Sequence, residues 1–302
     1  MHAPRPTHHA PLSAFAVAVA GVGALSLMDA VMKGLTLAIG AFPTMAWRAL
    51  LATLLMAVVY LPTRKAWPSR GTMRIHLIRG AIMVPMGFCF FWGLARVPMA
   101  QAIALAFIAP LLSLFLAALL IGERLNGRAL LGSLVAFAGV SLIFLGQSRA
   151  DLGHDALLGS ASILVSALLY AFNIILMRRQ AQAAGPVEIA FFQFLITGIG
   201  FWLFAPFAGA PFPPPDQLMP MLVATLLSIA GMLLLAWAYA RAGAGYLSNS
   251  EYSGFIWAAI FGWIFFAEPV SAWTTAGAVL IVAGCWIAIR KPIEHPTLEA
   301  SV

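Results

Sequence analysis

Apolar runs of about 20 residues recur along the whole chain, separated by short polar or proline-rich connections, and no other feature restricts the fold as strongly. Backbone N–H and C=O groups in hydrocarbon must be satisfied inside a helix or a closed barrel, and these runs are too long for strands. The sequence therefore reads as an all-α membrane protein with ten transmembrane helices, at 12–37, 42–61, 75–95, 99–121, 127–146, 156–177, 187–206, 219–240, 246–267 and 271–290. The connections hold the expected breakers: PTRKAWPSRG after the second run, QSRADLGHD after the fifth and APFPPPDQ after the seventh. With 62% hydrophobic and 9% charged residues and a mean hydropathy of +0.96, too little polar surface remains to clothe a soluble domain.

The formal charge of +7 sits in short basic clusters between apolar runs, the pattern of cytoplasmic loops facing lipid and not of a nucleic-acid surface. With both termini cytoplasmic, Arg5, Arg64, Lys65, Arg70, Arg74, Arg79, Arg124, Arg128, Arg178, Arg179, Arg241, Arg290 and Lys291 share that side, thirteen of the seventeen Lys and Arg residues. Lys33, Arg48, Arg96 and Arg149 are the remainder. This bias sets the expected orientation, in the inner membrane of a cell. Cys89 and Cys285 stand alone in apolar runs, so packing is expected of them, with no metal site and no cofactor. The apolar stretch from Leu12 continues past Ala18-Val19-Ala20 to Met28, which argues against a cleaved leader.

Displacing the chain by 145 residues lays LARVPMAQAIALAFIAPLLSLFLAALLIGERLNGRALLGSLVAFAG on YARAGAGYLSNSEYSGFIWAAIFGWIFFAEPVSAWTTAGAVLIVAG without a gap. Trp92 meets Trp237, Arg96 meets Arg241, Glu123 meets Glu268, Gly132 meets Gly277 and Gly139 meets Gly284. Matches among residues this rare point to duplication of a five-helix unit. Five is odd, so the second copy enters the membrane from the opposite face, and the two are expected to form inverted-topology repeats: 1–146, a linker at 147–155, 156–291, then a cytoplasmic tail at 292–302. The glycines seven apart fall on one helix face and favour close packing.

Ten spans in two halves, with a glutamate closing the fourth span nine residues before a glycine (GERLNGRALLGSLVAFAG, echoed as AEPVSAWTTAGAVLIVAG), resemble the EamA-type transporters of the drug/metabolite transporter superfamily. DAVMKGL, WRALLA, HLIRG and NSEYSG resemble the branch that contains bacterial S-adenosylmethionine uptake carriers. One departure is Ala267, where the first copy has Gly122. The resemblance implies transport of a small-molecule substrate without ATP, and no GxxxxGK[ST] loop is present. It leaves room for a coupling proton or counter-substrate, and for a homodimer.

Ionisable groups within a membrane are expensive, and each asks for a reason. Asp29 and Lys33 are four apart in the first span, and Arg48 enters from the same outer side; Asp29 paired with Lys33 or Arg48 would orient two helices, or form a charged mouth to a cavity. In the ninth span SNSEYSG replaces the IALAFIA of the first copy, so its polarity is not needed by the shared scaffold. Glu251 and Tyr252, with Ser248 and Asn249, are therefore candidates to line the central cavity, against a structural alternative in which Glu251 pairs with Arg79. Tyr170 and Asn173 in the sixth span and Gln193 in the seventh offer hydrogen bonds to cargo or between helices; Gln193 is the repeat mate of Arg48. Arg79 is a further candidate to contact cargo, although headgroup anchoring would also account for it and for His76; packing would account for Trp92 and Trp237, and a repeated contact between helix ends for Glu123 and Glu268. A cavity holding carboxylates and cations suits an amphoteric metabolite such as an amino acid or an S-adenosylmethionine-like compound. The alternatives are an exporter of another metabolite or drug, and an intramembrane enzyme, which the chain's lack of HExxH, GxSxG and helical His-Asp pairing disfavours.

Overall fold

A computed structural model describes residues 10–64, 66–121, 127–149, 153–242 and 247–289 apart from 248 and 249. Every described element is a helix: α1 Ala10–Ile39, α2 Ala41–Thr63, α3 Arg70–Leu94, α4 Met99–Ala106, α5 Ala109–Ile121, α6 Gly127–Arg149, α7 Gly153–Ala183, α8 Pro186–Ala208, α9 Pro215–Tyr239, α10 Ser253–Phe266 and α11 Ala272–Ile289. Seven described segments are long and apolar enough to cross a membrane, and the apolar stretches Leu130–Gly146, Ser253–Phe266 and Ala272–Ile287 are shorter. Below, the proximal end of the bundle is where α1 begins and the distal end where it finishes.

Packing obeys the 145-residue displacement. The most extensive contact is α6 on α11, followed by α1 on α9, α3 on α7 and α2 on α8. The displacement turns α1·α9 into α7·α3, while α6·α11 and α2·α8 map onto themselves. A Cβ on Gly139 would lie 2.6 Å from the Gly277 carbonyl oxygen, and one on Gly284 would lie 2.4 Å from that of Gly132. As one number rises by seven the other falls by seven, so α6 and α11 run antiparallel, with backbones touching where only a missing side chain permits it. Between α3 and α7 a Cβ on Gly93 would sit 2.6 Å from Gly159 O. The mates of those two glycines, Ala238 and Ala14, are fully buried where α9 meets α1. Gly21 and Gly231 touch across the same α1–α9 crossing, and their mates Ser166 and Met86 are joined by a hydrogen bond, Ser166 Oγ to Met86 O, 2.8 Å.

The fourth apolar run is not the continuous helix 99–121 that its hydropathy predicts. It breaks at Phe107 and Ile108, and Pro110 becomes the second residue of α5, where the missing N–H is harmless. Phe107 O, left without a helical donor, accepts the Cys285 thiol at 3.3 Å, a task for that cysteine beyond packing. The repeat mate of Phe107 is Tyr252, the turn residue before α10. The two rings meet edge to face, with centroids 5.4 Å apart. Each is the other's image and they touch, so the pseudo-twofold passes between them. The second turn has no proline; Ser250 Oγ donates to Leu247 O and Ser253 Oγ to Ser250 O, both at 2.6 Å, and the hydroxyls satisfy the opened backbone.

Candidate functional site

Near the proximal end, α3, α7 and α8 bury a chain of polar side chains. His76 and Arg79 are three apart on α3, and Asn173 and Gln180 seven apart on α7, so each pair shares one helix face and the two faces meet. Arg79 Nε donates to Asn173 Oδ1 at 2.7 Å, and Arg79 Nη1 donates to Gln180 Oε1. Gln180 Nε2 lies 2.6 Å from His76 Nδ1, and His76 Nε2 lies 3.2 Å from Glu188 Oε1 in the first turn of α8. Phe192 stacks on the imidazole, its centroid 4.8 Å away. His76 is 1% and Arg79 5% exposed, which overturns headgroup anchoring for both; neither reaches a lipid surface. The Glu251–Arg79 pair, the structural alternative, is also absent: two neutral amides hold Arg79, and among the described residues no carboxylate neutralises the guanidinium by contact.

Glu251 instead accepts a hydrogen bond from Tyr239 of α9, 2.7 Å from the phenol oxygen. Tyr170 on α7 interacts electrostatically with both Glu251 and Arg79, which places the three around one region. Tyr252 parts company with Glu251. The helix break turns it toward Phe107 and α11, where it lines an apolar cavity of about 460 Å³ with Phe255, Val279 and Trp286. Ser248, Asn249 and Glu123 lie outside the described residues.

Toward the distal end, Asp29 on α1 and Arg48 on α2 interact electrostatically but form no ion pair within 4.0 Å. Arg48 Nε is buried without a hydrogen-bond partner, and so is Oε1 of its repeat mate Gln193 on α8. Thr197 Oγ1, Ser228 Oγ and Trp257 Nε1 share that condition. Buried polar atoms are nearly always hydrogen-bonded, so each of these is bonding capacity that the fold itself does not use. Trp257 packs over Gly23 of α1, where a Cβ would come within 3.0 Å of its ring.

Lys33 does not pair with Asp29, one of the two pairings that the sequence left open. It is 3% exposed and donates to Glu268, 235 residues away, and to Val97 O at 2.7 Å. Glu268 also accepts the Met99 N–H at 2.8 Å, placing negative charge on the N-terminus of α4 where the helix dipole favours it. The contact between helix ends expected of Glu268 is thus present, and it is an ion pair as well. Trp92 and Trp237, for which packing was expected, are shelves for cations: Arg96 lies 3.5 Å above Trp92 and Arg241 lies 4.0 Å above Trp237, each also donating to the carbonyl of its tryptophan.

Sequence reasoning missed Gln180, Glu188 and Tyr239 as members of these clusters. Gln180 and Glu188 partner His76 from more than 100 residues away, where no local pattern connects them. Matching the 76/79 face of α3 with the 173/180 face of α7 was the available signal.

An EamA-like transporter family model matches the chain twice, at residues 12–145 and 157–290, two segments separated by 145 positions. The chain is 28% identical over 265 residues to a pseudopaline exporter of Pseudomonas aeruginosa, covering 86% of this chain and 90% of that protein. It is 29% identical over 223 residues to a riboflavin transporter of Rhizobium johnstonii, covering 73% and 71%. A solved crystal structure superposes with a TM-score of 0.58 at 20% identity, over 93% of this chain and 96% of that one, a likeness of fold. These likenesses reach the drug/metabolite transporter superfamily and do not extend to an S-adenosylmethionine branch. The chain belongs to the EamA-like transporter family and is a multi-pass membrane transporter, not an enzyme.

Proposed function

We propose that this protein is a secondary transporter that carries a small amphoteric organic metabolite across the inner membrane by alternating access. Its ten crossings form two inverted five-helix repeats, with the proximal end in the cytoplasm. The observation that carries the reading is the state of the two arginines facing the interior. Arg48 has a buried, unpartnered Nε with Asp29 across from it, and Arg79 is held by amides alone with Tyr170 and Glu251 nearby. A structural ion pair would have closed each cation on its acid. Cations and carboxylates kept apart suit a cargo that carries both signs, since its carboxylate and ammonium need opposite partners. Two packings exchanged between the repeats would open this region to either side in turn. Export is the direction favoured, by the likeness to the pseudopaline exporter over most of both chains.

The test is ligand-induced thermal stabilisation of the purified protein, because a ligand that binds the native state stabilises it according to its occupancy. Zwitterionic amino acids are expected to stabilise, and their decarboxylated amines and deaminated acids to do so far less. Arg79→Gln should weaken the zwitterions by about 10- to 100-fold, the worth of a hydrogen bond to a charged group. Equal stabilisation by amine, acid and zwitterion would overturn the amphoteric cargo.

A further inference from the structure

We infer that His76 and Glu188 form the binding site for a coupling proton, and that the Gln180 amide reports its presence to Arg79. The inference rests on the transport reading above and adds to it the ion that drives the cycle. Hydrogen-bond polarity carries the argument. A guanidinium only donates, so the Gln180 atom facing Arg79 is its oxygen, and the atom facing His76 is its NH2. His76 Nδ1 must then accept. The imidazole in this arrangement is neutral, with its single proton on Nε2 directed at the Glu188 carboxylate.

On the imidazole a second proton has one place to go, Nδ1, and there it opposes the Gln180 NH2. Donor against donor is relieved by turning the amide over. The oxygen then accepts from His76 Nδ1, and the NH2 faces Arg79 Nη1, which cannot accept. Arg79 loses one of its two holders and keeps Asn173 alone. Uptake of one proton thus removes one of the two side-chain hydrogen bonds on the guanidinium and frees Nη1 for cargo, near Tyr170. The imidazolium gains Glu188 as its counter-ion, and no bond other than hydrogen bonds changes.

The surroundings suit a proton site. From α8 the carboxylate of Glu188 faces His76 at 22% side-chain exposure, beside an imidazole with none. From α7 come neutral Gln180, Tyr170 beside Arg79 and the exposed Arg179. From α2 come Tyr60, electrostatically linked to Glu188, and Arg64 at the helix end. Helix α4 has no titratable residue, and Lys33 of α1 is bound at the far end. On α3 itself Arg79 lies one turn away. The scaffold does not require this polarity, because the repeat mates of His76, Arg79, Asn173, Gln180 and Glu188 are Met221, Ala224, Met28, Leu35 and Pro43.

The test uses the full chain in liposomes, with histidine and arginine side chains labelled with ¹⁵N and followed by solid-state NMR from about pH 5 to 9, the range in which histidine changes charge. The His76 signal is assigned by its loss in His76→Gln, a side chain that still accepts from Gln180 and donates to Glu188. The Arg79 signal is assigned by its loss in Arg79→Lys. At high pH His76 should show the Nε2–H tautomer, and as it becomes imidazolium the Arg79 Nη signal should move with the same midpoint. In Gln180→Met the two midpoints should separate. A protonated Nδ1 at high pH, or an Arg79 signal that stays still through the His76 transition, overturns the inference and leaves the amphoteric cargo standing. In the same liposomes, a labelled amino acid mixture under a one-unit pH gradient should accumulate up to about tenfold in wild type, the limit for one proton per cargo, and only equilibrate in His76→Gln. Accumulation by His76→Gln overturns the coupling role, whereas a wild type that moves none of the mixture counts against the cargo and leaves the NMR result to decide the proton site.

Discussion

Two regions of this molecule share one backbone arrangement and almost no chemistry. At the proximal end, α3 packs on α7 and α8 through His76, Arg79, Asn173, Gln180 and Glu188. At the distal end, their repeat mates put Met221, Ala224, Met28, Leu35 and Pro43 where α9 packs on α1 and α2. Met221, Ala224 and Leu35 are as buried as the polar residues they mirror. The apolar version shows that dispersion alone holds such a helix crossing together. The polar version must satisfy every buried donor and acceptor to do the same, because a half-satisfied network is worse than an apolar core. Polarity that the architecture does not need, and that carries a risk to stability, is what the proposed transport role accounts for.

Transplanting the distal set breaks the comparison if anything does. The quadruple variant His76→Met, Arg79→Ala, Asn173→Met, Gln180→Leu should unfold in denaturant no more easily than wild type, since replacing a buried polar cluster by apolar residues is often neutral or stabilising. It should carry no cargo. The single variant Gln180→Leu should be less stable than the quadruple one, by about 2–3 kcal/mol, because it strips a hydrogen bond from a buried charge and leaves that charge in place. A quadruple variant that fails to fold would mean that polarity is structural at this end after all.

Where the halves are alike, equal substitutions should have equal effects. Gly139 and Gly284 are repeat mates, and each meets a carbonyl of the opposing helix closer than a Cβ tolerates. Gly139→Ala and Gly284→Ala should each destabilise by about 1–3 kcal/mol, the usual effect of overpacking, measured as a shift in denaturant midpoint at constant slope. A large inequality would place the pseudo-twofold elsewhere.

The apolar helical runs, seven of them long enough to cross a membrane among the described residues, the repeat displacement and the glycine seam were legible in the chain because each depends on composition or on spacing. Neighbours in space that are remote in sequence were not. The spacing of Asp29 and Lys33 pointed to a pair, yet Lys33 bonds Glu268. Local periodicity ranks partners on one helix and is silent about a helix end that arrives 235 residues later. The break at Phe107 was hidden for another reason: hydropathy does not fall there, and Pro110 is equally at home inside a kinked span or at the start of a new helix. Glu251 and Tyr252 were read as lining one cavity, and the turn at Tyr252 sends their side chains to different neighbours.

The smallest effect comes from a place where the second repeat puts alanine in a backbone conformation that favours glycine. Ala267 takes φ 53° and ψ 33°, the left-handed conformation in which a Cβ crowds the following carbonyl. The first repeat has Gly122 at the corresponding position. The conformation is imposed from both sides: Ala267 N–H bonds back to Trp263 O at 3.0 Å and Glu268 N–H to Gly262 O at 3.1 Å, and the turn delivers the Glu268 carboxylate to Lys33 and Met99. Ala267→Gly relieves the strain without touching those partners, while giving the unfolded chain more freedom to lose. The net gain should be about 1 kcal/mol, read as a higher denaturant midpoint with transport unchanged. A loss of stability would show that the alanine methyl makes a packing contact worth more than the strain.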